Sequence, residues 1–159
     1  MKKITQIILA SIITCLSFSS MADSQGYGKQ KVVYHVNYDN AKKQSGALRN
    51  IQNHINAVGA DNLDIRVVMH GNGLSMILKP EALKETPKFK SANADQAMSQ
   101  KIDKLKLQGV NFKVCANTLK GRNVNVEKHL YDASNADIVP SGVAELAHLQ
   151  AQGFSYLRP

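Results

Sequence analysis

Cys115, His35 and His70 are the side chains of this sequence best suited to chemistry, each lying in or at the end of an apolar run. A thiolate is a nucleophile, and an imidazole exchanges protons near neutral pH. Lys113, Lys120 and Arg122 stand close to Cys115 in the chain, and the Asn117-Thr118 turn after it would present backbone amides. Both kinds of group offset negative charge on sulfur. The plain alternative is a small buried cysteine and two structural histidines. A second set, Asn37, Gly71 and Gly73, also follows apolar runs. Glycines let a backbone approach a ligand closely, and amides at a following helix favour an anion, but the same pair is equally the mark of a tight turn.

These residues depend on strands to hold them. Lys31 to Asn37, Leu63 to His70, Val110 to Cys115, Ile138-Val139 and Phe154 to Arg158 read as strands. Helical spacing separates them: Leu48, Ile51, Ile55 and Val58 behind an Asp39 or Asn40 cap and stopped by Gly59, then Ala94 to Gln108, then Val143 to Leu146 up to Gly153. Leu74 to Leu78 is expected to open a short helix, Pro80 to Phe89 to be a loop, and Asn117 to Arg122 and Val126 to Tyr131 to be helical turns. Strands alternating with helices over short connections predict a three-layer α/β/α domain on a mostly parallel sheet of about five strands. Ligands in such sheets bind at the carboxyl ends of strands.

Strand parity sharpens the picture. Lys31, His35 and Asn37 oppose Val32, Tyr34 and Val36; Asp64, Arg66 and His70 oppose Ile65, Val67 and Met69; Asn111, Lys113 and Cys115 oppose Val110, Phe112 and Val114. If the more polar parity marks one side throughout, His35, His70 and Cys115 point to that side. It is also a side that helices cover incompletely, which predicts a homo-oligomer that seals it. His54, His129 and His148 read as helix-border residues. A metal held by His35, His70 and Cys115 would have three ligands on three strands and no short ligand-pair motif, so no metal is assigned.

Composition narrows the function classes. Low-complexity disorder does not fit 43% hydrophobic residues, and a disulfide scaffold does not fit 2 Cys. No Gly-rich dinucleotide fingerprint, Gly-x-Ser-x-Gly or Walker lysine motif occurs, and no cofactor is assigned. The net charge of +8 is scattered and aromatics are only 6%, which gives nucleic-acid binding no support. Residues 1–22 read as a signal peptide: Lys2-Lys3, an apolar stretch from Ile4 to Phe18, and Ser20-Met21-Ala22 before cleavage. That stretch is short of the roughly 20 residues needed to span a bilayer. Cleavage would remove Cys15, leaving Cys115 unpaired in an oxidising periplasm, with no membrane association afterwards. Residues 23–30 read as a flexible leader and 31–159 as one domain.

Lys31 to Asn37, Val67-Val68-Met69-His70-Gly71, Gly109 to Cys115, and Ile138 to Val143 with Gly153 to Pro159, taken in that order, resemble the DsrE/DsrF-like sulfur-relay family. The resemblance implies the same three-layer fold, assembly into oligomers, and a persulfide-carrying cysteine at the position of Cys115, with a sulfur donor or acceptor protein as partner. Relatives of this kind pass sulfur between cytoplasmic partners, so a signal peptide is a departure. Two readings follow: a periplasmic carrier that binds or transfers sulfane sulfur on Cys115, or a non-enzymatic oligomeric binding module, for a small anion, metal or protein partner, with a structural Cys115.

Overall fold

The structure is a computed structural model and describes residues 26–159. The segment read as a signal peptide, its cleavage position and the first residues beyond it lie outside the described residues. Five strands form one parallel sheet in the order β4-β3-β2-β1-β5: β1 (Gln30–Val36), β2 (Leu63–Met69), β3 (Asn111–Cys115), β4 (Ile138–Val139) and β5 (Ser155–Leu157). The helices are α1 (Ala41–Val58), α2 (Gln96–Leu107), α3 (Ala116–Arg122), α4 (Val126–His129) and α5 (Gly142–Ala151), with helices on both sides of the sheet. This is the three-layer arrangement that the alternation of elements predicts.

Side-chain alternation divides the core into two. Val32, Tyr34, Val36, Ile65, Val67, Met69, Phe112 and Val114 pack with Leu48 and Ile51 of α1 and Ile102 and Leu105 of α2. Burial of each such aliphatic side chain contributes about 1.5–3 kcal/mol. The opposite face holds a smaller cluster, in which Leu146 and Leu149 of α5 cover Val33, Val68 and Phe154. Lys31, Asp64, Arg66, Asn111 and Lys113 on that face stay exposed or half-buried.

Local signals place the helices. The Asn40 side chain accepts from the Lys43 amide at 2.9 Å and the Asp95 side chain from the Met98 amide at 2.8 Å, each satisfying an orphan donor of a first turn. Ser141 caps α5. Residues 71–94 are more ordered than a loop. They begin with 3-10 turns at Gly71–Met76, three residues before the expected helix at Leu74, and include another at Pro80–Lys84. Buried Gln44 ties this excursion down: its amide donates to the Tyr38 carbonyl at 2.6 Å and the Ser75 hydroxyl at 2.9 Å, and its oxygen accepts from Asn93 at 2.8 Å. The turn expected through Tyr131 ends at His129, because Leu130 is extended to bridge Leu78. Among the described residues no helix is long and apolar enough to cross a membrane.

Candidate functional site

The carboxyl end of the sheet gathers Cys115, His70 and His35 on the face that α5 covers. Met69 of β2 is in register with Val114 of β3, and His70 continues extended, so the next pair along is His70 beside Cys115. Neighbouring strands lie about 4.8 Å apart, and side chains in register share a face. His35 sits on β1, diagonal to His70, because its own register partner is Val68.

Cys115 ends β3 and stands at the residue before the first turn of α3, as a free thiol only 4% exposed. Burial pushes such a thiol up. The Thr118 hydroxyl and the amides of Gly142, Thr118 and Asn117 together outweigh that push and hold Cys115 below its ordinary value. The Thr118 hydroxyl oxygen accepts the Gly71 amide at 2.8 Å, which leaves its own proton free for the sulfur. These donors come from two segments, the first turn of α3 and the start of α5.

Beside them runs a chain of aromatic side chains. His35 Nε2 and His70 Nε2 are 2.7 Å apart with the rings stacked at 4.7 Å, and His35 Nδ1 is 2.6 Å from the Tyr156 hydroxyl. One proton must lie between the two Nε2 atoms, because two bare nitrogens or two N–H groups would repel. Burial, His70 and Arg158 push His35 from its ordinary 6.5 to about 4, and burial lowers His70 as well. While Cys115 keeps its proton, both imidazoles are therefore neutral near pH 7. Gly142, at the start of α5, is packed so tightly on His70 that a Cβ there would stand 2.8 Å from the His70 Cβ. The same glycine gives its amide to Cys115.

The remaining candidates fall elsewhere. Asn37 accepts Arg158 through Nε at 3.2 Å and Nη2 at 2.9 Å, tying the last strand to the first. Gly73 faces protein, since a Cβ there would meet the Val36 carbonyl oxygen at 1.9 Å. Lys113 reaches the Ala136 carbonyl at 3.3 Å and Lys120 is exposed. Arg122 bonds the Lys88 carbonyl and Asn72 and lies 4.4 Å from the centre of the Phe89 ring. Of the two kinds of group the sequence pointed to, the amides hold the thiol down and the three cations lie elsewhere. Asn117 contributes its amide.

Thr118 was read from the sequence only for the amides of its turn and not for its hydroxyl, and Gly142 only as part of the run from Ile138 to Val143; Tyr156 carried no signal, because nothing local places β5 next to β1. His54 is satisfied by Tyr34 at 2.9 Å and Gln30 at 2.8 Å, and His129 by the Asn125 amide at 3.1 Å, with Glu85 at 3.3 Å. His148 contacts Gln152 on α5. Among the described residues no group of three or more His, Cys, Asp or Glu stands where it could hold a metal ion.

Comparison with known proteins adds to this geometry. A protein of unknown function from Methanobacterium thermoautotrophicum, MTH1491, shares the fold with a TM-score of 0.65 at 24% identity, over 82% of this chain and 100% of that one. The ychN protein from E. coli superposes with a TM-score of 0.56 at 16% identity, over 83% of this chain and 99% of that one. A search of the curated proteins returned no match. The DsrE/DsrF-like family model matches residues 30–159, the whole of the sheet and its helices. The chain belongs to the DsrE/DsrF-like family.

Proposed function

We propose that this protein is a sulfur carrier that holds sulfane sulfur as a persulfide on Cys115. The observation that carries the reading is the place of the thiol, between β3 and α3 and next in register to His70, where the Thr118 hydroxyl and the amides of α3 and α5 hold it below its ordinary value. Family membership supports the same chemistry. In the transfer, the Cys115 thiolate attacks the outer sulfur of a donor persulfide. A new S–S bond forms to Cys115, the donor's S–S bond breaks, and its electron pair leaves on the donor thiolate. No net oxidation occurs. The product persulfide is also an anion near neutral pH, and the same donors hold it.

The test is to treat the protein with inorganic polysulfide and follow its mass. Wild type gains one sulfur atom that dithiothreitol removes, and Cys115→Ser gains none. Thr118→Val retains the cysteine but loses the hydroxyl donor, so its thiol rises and its loading rate at neutral pH falls about threefold, the smaller thiolate fraction being partly offset by the greater nucleophilicity of a more basic thiolate. The 4% exposure of Cys115 favours a second reading, a binding module in which the cysteine packs. Under that reading wild type gains no more sulfur than Cys115→Ser.

Export and assembly belong to the same proposal. The Lys2-Lys3 start and the apolar stretch support delivery to the periplasm, and the sparse cover over one sheet face supports a homo-oligomer. Exposed Val143, Tyr156 and Leu157 add apolar surface on α5 and at the β5 edge. Mature protein from the envelope fraction begins at Asp23 and scatters light as an oligomer. A retained Met1 defeats the first statement, and a monomer mass at micromolar concentration the second.

A further inference from the structure

We propose that His70 is the base that takes the Cys115 proton, and that His35 and Tyr156 hold it in the tautomer and orientation for that task. This rests on Cys115 being the nucleophile of the site. Register places His70 beside Cys115 on the same face, and no described residue forms a hydrogen bond with His70 Nδ1. Its other nitrogen is committed to His35, whose second nitrogen is committed to Tyr156. A nucleophile, a base and a group that orients the base make up the general arrangement for activating a weak nucleophile. A hydrogen bond between thiol and base is often long in a resting site and tightens when substrate arrives.

The proton count closes. Before transfer, His35 carries its proton on Nδ1, donated to the Tyr156 oxygen, and its bare Nε2 accepts the Nε2–H of His70. That leaves Nδ1 of His70 unprotonated and free to accept. The S–H bond of Cys115 breaks, its electron pair stays on sulfur, and the proton forms an N–H bond at His70 Nδ1. The result is a thiolate beside an imidazolium whose Nε2–H remains bonded to neutral His35. Gly142 leaves room for the ring to stand there, since any side chain would strike it.

Among the described residues, His35 from β1 touches His70 directly, with Tyr156 and Arg158 on the far side of His35, Cys115 stands next to it in register, and the side-chain-free Gly142 of α5 packs on its ring.

Titration of the thiolate by its ultraviolet absorbance, with Cys115→Ser as the blank, tests this without any sulfur donor. His70→Gln raises the Cys115 midpoint by about one to two pH units, the change expected when a neighbouring opposite charge is lost. His35→Phe raises it in the same direction although Cys115 and His70 remain, and His35→Asn, which can still accept the Nε2–H of His70, restores the wild-type midpoint. Thermal midpoints of all variants are measured alongside, and a folded His70→Gln protein with an unchanged thiol midpoint overturns the proposal. If His70→Gln does not fold, His35→Phe and His35→Asn decide it by the same criterion. Wild type that titrates as described but takes no sulfur defeats the carrier reading and leaves the base assignment standing. Sulfur loading with an unchanged His70→Gln midpoint does the reverse.

Discussion

Replacing Gly73 with alanine is expected to destabilise the protein by about 3 kcal/mol or more, at the upper end of what overpacking costs. The added Cβ would stand 1.9 Å from the Val36 carbonyl oxygen, 2.5 Å from its carbon and 2.9 Å from the Asn37 Cα, all of them backbone atoms. Val36 has nowhere to go. Its side chain is fully buried in the larger core, and its carbonyl accepts the His70 amide at 3.2 Å. The 71–76 turn cannot swing outward either without pulling Ser75 off Gln44. Chemical denaturation measures the loss. Gly46→Ala is the control: a Cβ there meets nothing within 4 Å and the residue is inside α1, so alanine is expected to add about 0.5–1 kcal/mol. Equal effects at the two glycines would refute the steric account.

Acid is expected to weaken the fold well before the carboxylates titrate. His35 has an ordinary value of 6.5 and is held at about 4 in the folded protein, so between those values the unfolded chain binds more protons. The stability this neutral histidine contributes is fully present above about pH 6.5 and is lost as pH falls toward 4. A tenfold difference in proton affinity between folded and unfolded chain is worth about 1.4 kcal/mol, so the loss is about 3 kcal/mol in all. His70, lowered by burial, adds to it in the same direction. Urea midpoints across this window therefore fall steeply for wild type and more gently for His35→Gln. Parallel curves for the two proteins would contradict the argument.

Strand positions and parity were legible because β-branched runs alternate with polar residues along β1, β2 and β3. Each boundary agrees with the structure to within one residue, including those of β5, which is one residue shorter at each end. The side shared by His35, His70 and Cys115 followed from that alternation alone, since period two requires no knowledge of neighbours. What surrounds Cys115 did not follow. Thr118 acts on the sulfur through a hydroxyl whose orientation is set by Gly71, 47 residues away, and Tyr156 reaches His35 only because the last strand lies beside the first. Closeness in sequence also misled: α3 carries Arg122 round to Phe89 and away from the thiol.

The pairing of β5 with β1 also bears on when the site comes into being. Tyr156 to His35, Arg158 to Asn37 and Tyr38 to Pro159 each join residues 121 positions apart. Loop closure over such a span is favourable only once the intervening chain is compact, so these contacts form late in folding. Until then His35 is solvated and titrates as any free histidine does. An incompletely folded chain that already displays its thiol therefore lacks the tuned imidazole pair, and reactivity of the finished kind is acquired only at the final docking event.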